Sequence, residues 1–293
     1  MTHTLDAPGA TIAYDVREPA ESSSAAPLML IGSPMDASGF GTLAGHFTDR
    51  RVITYDPRGT GRSTRTDPAP ESTPEQHADD VRRVLEAVGG GPVDLFASSG
   101  GAVNALALVA AHPGLLRTLV AHEPPAARLI PDSTDAEAAV LGIRALYERF
   151  GLGPAMVKFI GIVSLQGPVP PGFADEPGPD PATFGLPGTD DGTRDDVLLG
   201  QNLVTCCLFE PDFPALKATA TRIVVGVGAE SEGELAHRAG RAVAANLGVE
   251  PVVFPSNHAG FLGGEFGQHG DPVPFAAKLR EVLTADHGDG AVR

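Results

Sequence analysis

The sequence predicts an α/β fold: a doubly wound, mostly parallel sheet with helices on both faces, interrupted late in the chain by a helical insertion. Three observations carry this. Short apolar runs of strand length alternate with longer segments of helical period. The run Val93-Asp94-Leu95-Phe96 ends in Ala97-Ser98-Ser99-Gly100-Gly101 and passes at once into a small-residue helix. Between Pro124 and Ala220 the alternation stops, and apolar helical segments replace it.

Taken in order, Thr11 to Arg17 (TIAYDVR) alternates apolar and polar residues, which predicts an early antiparallel strand. A loose linker leads into Pro27 to Gly32 (PLMLIG), a continuous apolar run of the kind found in strands buried on both faces. Arg51 to Asp56 (RVITYD) is a second, followed by the glycine-rich loop PRGTGRS. In that stretch Asp56, Arg58, Gly59, Gly61 and Ser63 read as a structural turn, with phosphate binding as the weaker alternative. Thr73 is placed to cap a helix with Pro74 at its first position, and Val81, Val84, Leu85 and Val88 share one face before Gly89 stops it. The strand from Val93 and its helix come next. Arg117 to His122, Arg222 to Val227 and Pro251 to Phe254 supply further strands, with helices expected over 232–247 and 274–283. Inside the interruption, 135–150, 154–165 and 195–208 read as helices around a Pro/Gly-rich stretch at 167–192. The expected division is a core of residues 1–127 and 218–293, with residues 128–217 forming a helical cap over the carboxyl edge of the sheet.

Composition narrows the function classes. A length of 293 residues and 42% hydrophobic content suit one large α/β domain carrying an insertion. A net charge of −16 argues against nucleic acid, whose binding needs a basic surface, and against an anionic membrane. No apolar run approaches the length of a membrane span and no basic segment with an apolar core opens the sequence, so neither a membrane span nor a secretory leader is expected. The only cysteines, Cys206 and Cys207, are adjacent, which suits neither a disulfide nor a metal site, so a reduced, cytoplasmic setting is expected. No GxxxxGK[ST] motif, no GxGxxG with a ribose-binding acid and no metal-ligand cluster is visible, so neither cofactor nor metal is expected. The expected partner is a small hydrophobic substrate; a homodimer is the one macromolecular association considered.

The chemistry centres on Ser99. A strand, a tight turn bearing a hydroxyl and a helix make a nucleophile elbow, which needs small residues two before and two after its apex. With Ser99 at the apex these are Ala97 and Gly101; with Ser98, Phe96 would clash. The alternative is an ordinary Gly-rich strand-to-helix loop, with or without a bound phosphate. A serine needs a base to take its proton. Of the nine histidines, His258 follows the last strand in the loop Phe254 to Phe261. His3, His46, His77, His237, His269 and His287 fall in helices, loops or tails away from strand ends, and His112 ends the elbow helix on its far side.

LMLIGSP, YDPRGTGRS, FASSGGA, VAHEPP and FPSNHAGFLG together make the chain resemble the α/β-hydrolase superfamily over nearly its whole length. The likeness is closer to a group of actinobacterial α/β-hydrolase-fold proteins with a cap domain. The resemblance implies an eight-stranded sheet, a cap inserted after the sixth strand, and a Ser-His-acid triad. It implies an oxyanion hole built from the backbone N–H groups of Gly100 and Ser33, with Ile31 where the family often carries histidine. Met35 and Phe40 would then lie near the pocket, unless they serve packing. In most of the superfamily the acid follows the seventh strand, where this chain has Ser231 in the aspartate position. Glu230 or Glu232 could substitute if the loop shifts. A second location, known in haloalkane dehalogenases, follows the sixth strand and is occupied here by Glu123. A serine apex sets aside the aspartate-nucleophile chemistry of those dehalogenases and of epoxide hydrolases.

The leading expectation is a serine hydrolase of a small ester, lactone or related acyl compound, working through an acyl-enzyme. Leu141, Leu146, Phe150, Met156, Phe159, Ile160 and Leu165 would make its pocket apolar, or else form the core of the cap. The alternative is carbon–carbon bond cleavage or formation, or cyclisation, in the same pocket within secondary metabolism or catabolism. A non-catalytic small-molecule receptor is the third reading.

Overall fold

Eight strands lie side by side and a ninth, the two-residue Thr64–Arg65, pairs with one of them. A computed structural model describes residues 1–285; His287 lies outside the described residues. The strands are β1 (Thr2–Ala7), β2 (Ala10–Arg17), β3 (Leu28–Ile31), β4 (Val52–Tyr55), β5 (Val93–Ser98), β6 (Leu116–His122), β7 (Arg222–Gly228) and β8 (Val252–Phe254). Their spatial order is β1-β2-β4-β3-β5-β6-β7-β8, antiparallel from β1 to β4 and parallel from there on. The α/β class and the mostly parallel sheet are as the sequence predicts. The pattern reading misses the short Thr64–Arg65 strand and β1, an edge strand whose residues alternate between exposed and half-buried. It buries too little to leave an apolar signature.

The central strands read as unbroken apolar runs because successive residues enter different cores. Met29, Ile31, Leu95, Ala97, Leu119 and Ala121 join the core beneath α2 (Pro74–Val88), α3 (Gly100–Ala111) and α8 (Leu235–Leu247). Leu28, Leu30, Phe96 and Val120 join the opposite one, with α1 (Gly41–Gly45) and α9 (Pro272–Thr284). The helices start where local chemistry dictates. Thr73 and Gln76 form a reciprocal capping box ahead of Pro74. The PRGTGRS loop is a built turn: Arg58 forks onto both oxygens of Asp80 at 2.8 Å, and Asp56 accepts the Ala37 N–H at 3.0 Å and the Arg62 N–H at 2.8 Å.

Between β6 and β7 the chain forms α4 (Ser133–Phe150), α5 (Leu152–Val163), α6 (Leu203–Cys207) and α7 (Phe213–Ala218). Ala139, Ile143, Tyr147, Ile162, Leu199 and Leu203 form a third core, which continues onto Leu235 and Ala239 of α8. The helix expected over 195–208 is two pieces: a π-helical stretch, Val197–Asn202, runs into α6. The wide turn is held by the Asn202 amide, which donates to the Val197 carbonyl at 2.7 Å, and by His77, whose Nε2 meets the Asn202 Oδ1 at 2.7 Å. A lone buried asparagine does not announce this in sequence.

Candidate active site

The turn from β5 into α3 puts Ser99 in a conformation that side chains rarely adopt, with φ 57° and ψ −129°. Such a residue persists only when its surroundings fix it. The Ser99 N–H donates to the His122 carbonyl at 3.0 Å, and the Ala102 N–H donates to the Ser99 carbonyl at 2.9 Å. Close approach sets the need for glycine two residues on: a Cβ on Gly101 would sit 2.8 Å from the Gly32 Cα and 3.0 Å from the Ile31 carbonyl oxygen. Gly100 is pressed as tightly, its notional Cβ falling 2.7 Å from the Ser33 carbonyl oxygen. The end of β3 and the first turn of α3 therefore touch backbone to backbone, which puts Ser33 beside Gly100. As the first residue of its helix, Gly100 has an N–H with no intrahelical acceptor.

Glu123, the first residue after β6, also has a positive φ, 47°. It is fully buried, and each oxygen is engaged. Oε2 meets His258 Nδ1 at 2.6 Å; Oε1 accepts the Gly228 N–H at 2.8 Å and the Ser231 hydroxyl. His237 Nδ1 stands 3.6 Å from Oε1. Burial pushes the carboxyl up, but the neighbouring imidazoles of His237 and His258 outweigh it and hold it far below the usual carboxylate range. Glu123 is thus a buried anion whose charge is met by donors from the end of β7, the loop that follows it and the loop after β8.

Of the three candidate acids, only Glu123 is brought to His258. Glu230 turns into solvent, where its closest side-chain partner is the Ser256 hydroxyl at 3.5 Å, while its N–H is fixed to the Ser256 carbonyl at 3.0 Å. Glu232 is exposed too. Ser231 points inward instead and donates to Glu123. A carboxylate at that position would face the buried Glu123 anion, which is a physical reason for a hydroxyl there.

Ser33, Ser99, Gly100 and His258 line one cavity of about 380 Å³, walled by Val140, Phe159, Ile162 and Leu203 of the inserted segment. The His258 side chain is 37% exposed toward it. Among the described residues no hydrogen bond links the Ser99 hydroxyl to the His258 ring; such contacts often tighten only when a substrate is bound. Met35 and Phe40 are not on the cavity wall. Phe40 is buried against Phe261, ring centroids 5.5 Å apart, and Met35 packs on the same core. Of the apolar residues expected at the pocket, Phe159 reaches it, Leu146, Met156 and Leu165 pack on the core of the inserted segment, and Leu141 and Phe150 face solvent.

His122 and His237 are the residues a search along the sequence passes over. His122 closes β6, is boxed by Phe96, Phe254, Phe261 and Phe275, and stacks on His258 with centroids 6.0 Å apart. Its Nδ1 lies 3.2 Å from the Ser98 hydroxyl, so the neighbours of Ser99 and Glu123 are themselves joined. The available signal is register: Ser98 and His122 are direct partners across β5 and β6. His122, Glu123 and His258 also hold potential metal-ligand atoms within 4.8 Å of one another, a grouping that linear spacing does not reveal. A cation there would have to replace the proton shared between Glu123 and His258.

Burial pulls His77 and His122 from 6.5 down to about 4, against the Asn202 hydrogen bond in the first case and the Glu123 charge in the second. Unfolding frees both rings. Between 6.5 and about 4 the unfolded chain therefore holds more protons, and stability falls as pH drops through that window. Urea midpoints should decline from about pH 7 to about pH 5; a flat profile contradicts the neutral buried state.

A family model described as alpha/beta hydrolase fold matches residues 32–155, the stretch from the end of β3 through the elbow into α5. The uncharacterized hydrolase YraK of Bacillus subtilis is 29% identical over 265 residues, covering 88% of this chain and 89% of that one. The chain has the α/β-hydrolase fold. Solved structures agree on the fold. A thermophilic esterase from Thermogutta terrifontis superposes with a TM-score of 0.65 at 20% identity, over 97% of this chain and 98% of that one. The enol-lactonase from Burkholderia xenovorans gives 0.59 at 16% identity, over 96% and 100%. Among the described residues no helix is long and apolar enough to cross a membrane.

Proposed function

We propose that this α/β-hydrolase cleaves a small, largely apolar ester or lactone through an acyl-enzyme on Ser99. The single observation that carries the reading is the 2.6 Å contact between the buried Glu123 and Nδ1 of His258, whose ring lines the same cavity as Ser99. With Nδ1–H engaged by a carboxylate, the other ring nitrogen of His258 is left as the acceptor, the form a general base needs. Ser99 attacks the carbonyl carbon as His258 takes its proton. The Gly100 and Ser33 N–H groups hold the developing oxyanion. His258 returns the proton to the leaving alcohol, and water then repeats the sequence on the acyl-enzyme.

The inserted segment acts as a cap whose apolar wall, from Val140 to Leu203, selects the acyl or alcohol group. The esterase and enol-lactonase likenesses support acyl chemistry as the class. Purified protein should turn over p-nitrophenyl acetate or butyrate with saturation kinetics and take up one equivalent of an alkyl fluorophosphonate. Absence of both contradicts the reading.

A further inference from the structure

The cavity wall contains one carboxylate, Glu234, while the acid paired with His258 is buried behind it. Glu234 lines it among apolar residues and the neutral amides of Asn202, Asn257 and Gln268, with no lysine or arginine on the wall among the described residues. Glu234 occupies the N-cap position of α8, where an acidic side chain ordinarily folds back onto the free N–H groups of the first turn. It makes no such bond. Its side-chain partner among the described residues is the Gln166 amide, at 3.4 Å. The nearest cation along its own helix, Arg238, is committed elsewhere, to Asp132 and to the Gly167 carbonyl at 2.7 Å. A half-buried carboxylate that forgoes both its helix and an ion pair is left to meet whatever enters the cavity.

Building on the serine-hydrolase reading above, we infer that Glu234 sets the substrate class: an ester carrying a primary or secondary ammonium group, held by a charge-assisted hydrogen bond, with anionic esters rejected. The geometry gives the ammonium a carboxylate in a wall that, among the described residues, carries no lysine or arginine. Burial, then the neighbouring Glu123 charge, raises the Glu234 carboxyl above its ordinary value, and a bound ammonium relieves both effects. A carboxylate on the substrate would meet Glu234 with no counter-charge on the wall, and repulsion there is costly because the surroundings are apolar.

The test uses three esters of matched length: ethyl ω-aminohexanoate, ethyl heptanoate and the monoethyl ester of heptanedioic acid. The expected order of kcat/KM is amino, then neutral, then carboxylate, with an amino-to-neutral ratio of about tenfold or more, the usual value of one charge-assisted hydrogen bond. Glu234→Gln should cut that ratio about tenfold, mainly through KM of the amino ester. An unchanged ratio in this variant overturns the inference. Should Glu234→Gln fail to fold, the wild-type order alone decides: equal rates for amino and neutral esters overturn it. Calorimetric binding of the same three esters to Ser99→Ala needs no turnover. A preference for the amino ester there, with no hydrolysis by the wild type, would sink the hydrolase reading and leave this one standing.

Discussion

Ser99→Ala is expected to lose kcat on the order of 10⁶-fold on any ester the wild type cleaves, with KM little changed. The magnitude follows from how the site is built. In the proposed mechanism, removing the hydroxyl removes the group that forms the covalent intermediate and leaves His258 with no proton to take. What survives is polarisation of the carbonyl by the Ser33 and Gly100 N–H groups. The substitution should fold normally, because the Ser99 backbone is held by its own N–H and carbonyl bonds to His122 and Ala102. Its hydroxyl forms no hydrogen bond among the described residues, so nothing else is orphaned. A kcat within tenfold of wild type, measured on protein with an unaltered melting curve, would contradict the role given to Ser99.

The second large effect separates two carboxylates that the sequence alone leaves open. Glu123→Gln should reduce kcat about 10⁴-fold, whereas Glu230→Gln should leave it within about twofold. A glutamine at 123 still accepts from the Gly228 N–H and Ser231, so the buried shape is kept. Its amide nitrogen, however, can turn a donor toward His258 Nδ1 and select the tautomer whose proton sits on the wrong nitrogen. Loss of the buried charge also alters stability, with a definite sign. The Glu123 carboxyl is held below its ordinary value, so it stabilises the fold above the unfolded carboxylate range and ceases to do so as pH falls through the depressed value. The acid limb of the activity profile therefore does not report Glu123, which stays ionised there. Equal losses in the two variants would remove Glu123 from the site.

Much of the fold is legible because the central strands are buried on both faces. Leu28 to Ile31 and Val93 to Ser98 have no solvent side, and their apolar runs say so. β1 is illegible for the opposite reason: Thr2, Thr4 and Asp6 face solvent on an edge. The elbow is legible because close packing on Gly32 and Ile31 demands small residues at fixed offsets from Ser99. Linear reading fails where a contact spans the chain. Whether Glu123 or Glu230 reaches His258 depends on a backbone φ of 47° at Glu123 and on a hydroxyl rather than a carboxylate at Ser231. His237 reads as an ordinary helix residue until α8 is laid beside the end of β7, where its Nδ1 meets the Gly228 carbonyl at 3.2 Å. Glu234 carries no signal in the sequence, and only the fold puts its side chain on the cavity wall.

The central claim is that Ser99 carries the acyl group. Fluorophosphonate-treated protein, digested and sequenced by mass spectrometry, should show one adduct, on Ser99 within the peptide containing Val93 to Asn104. Labelling should vanish in Ser99→Ala and slow sharply in Glu123→Gln. An adduct on Ser98 or Ser33, or undiminished labelling of the Ser99→Ala protein, would contradict it.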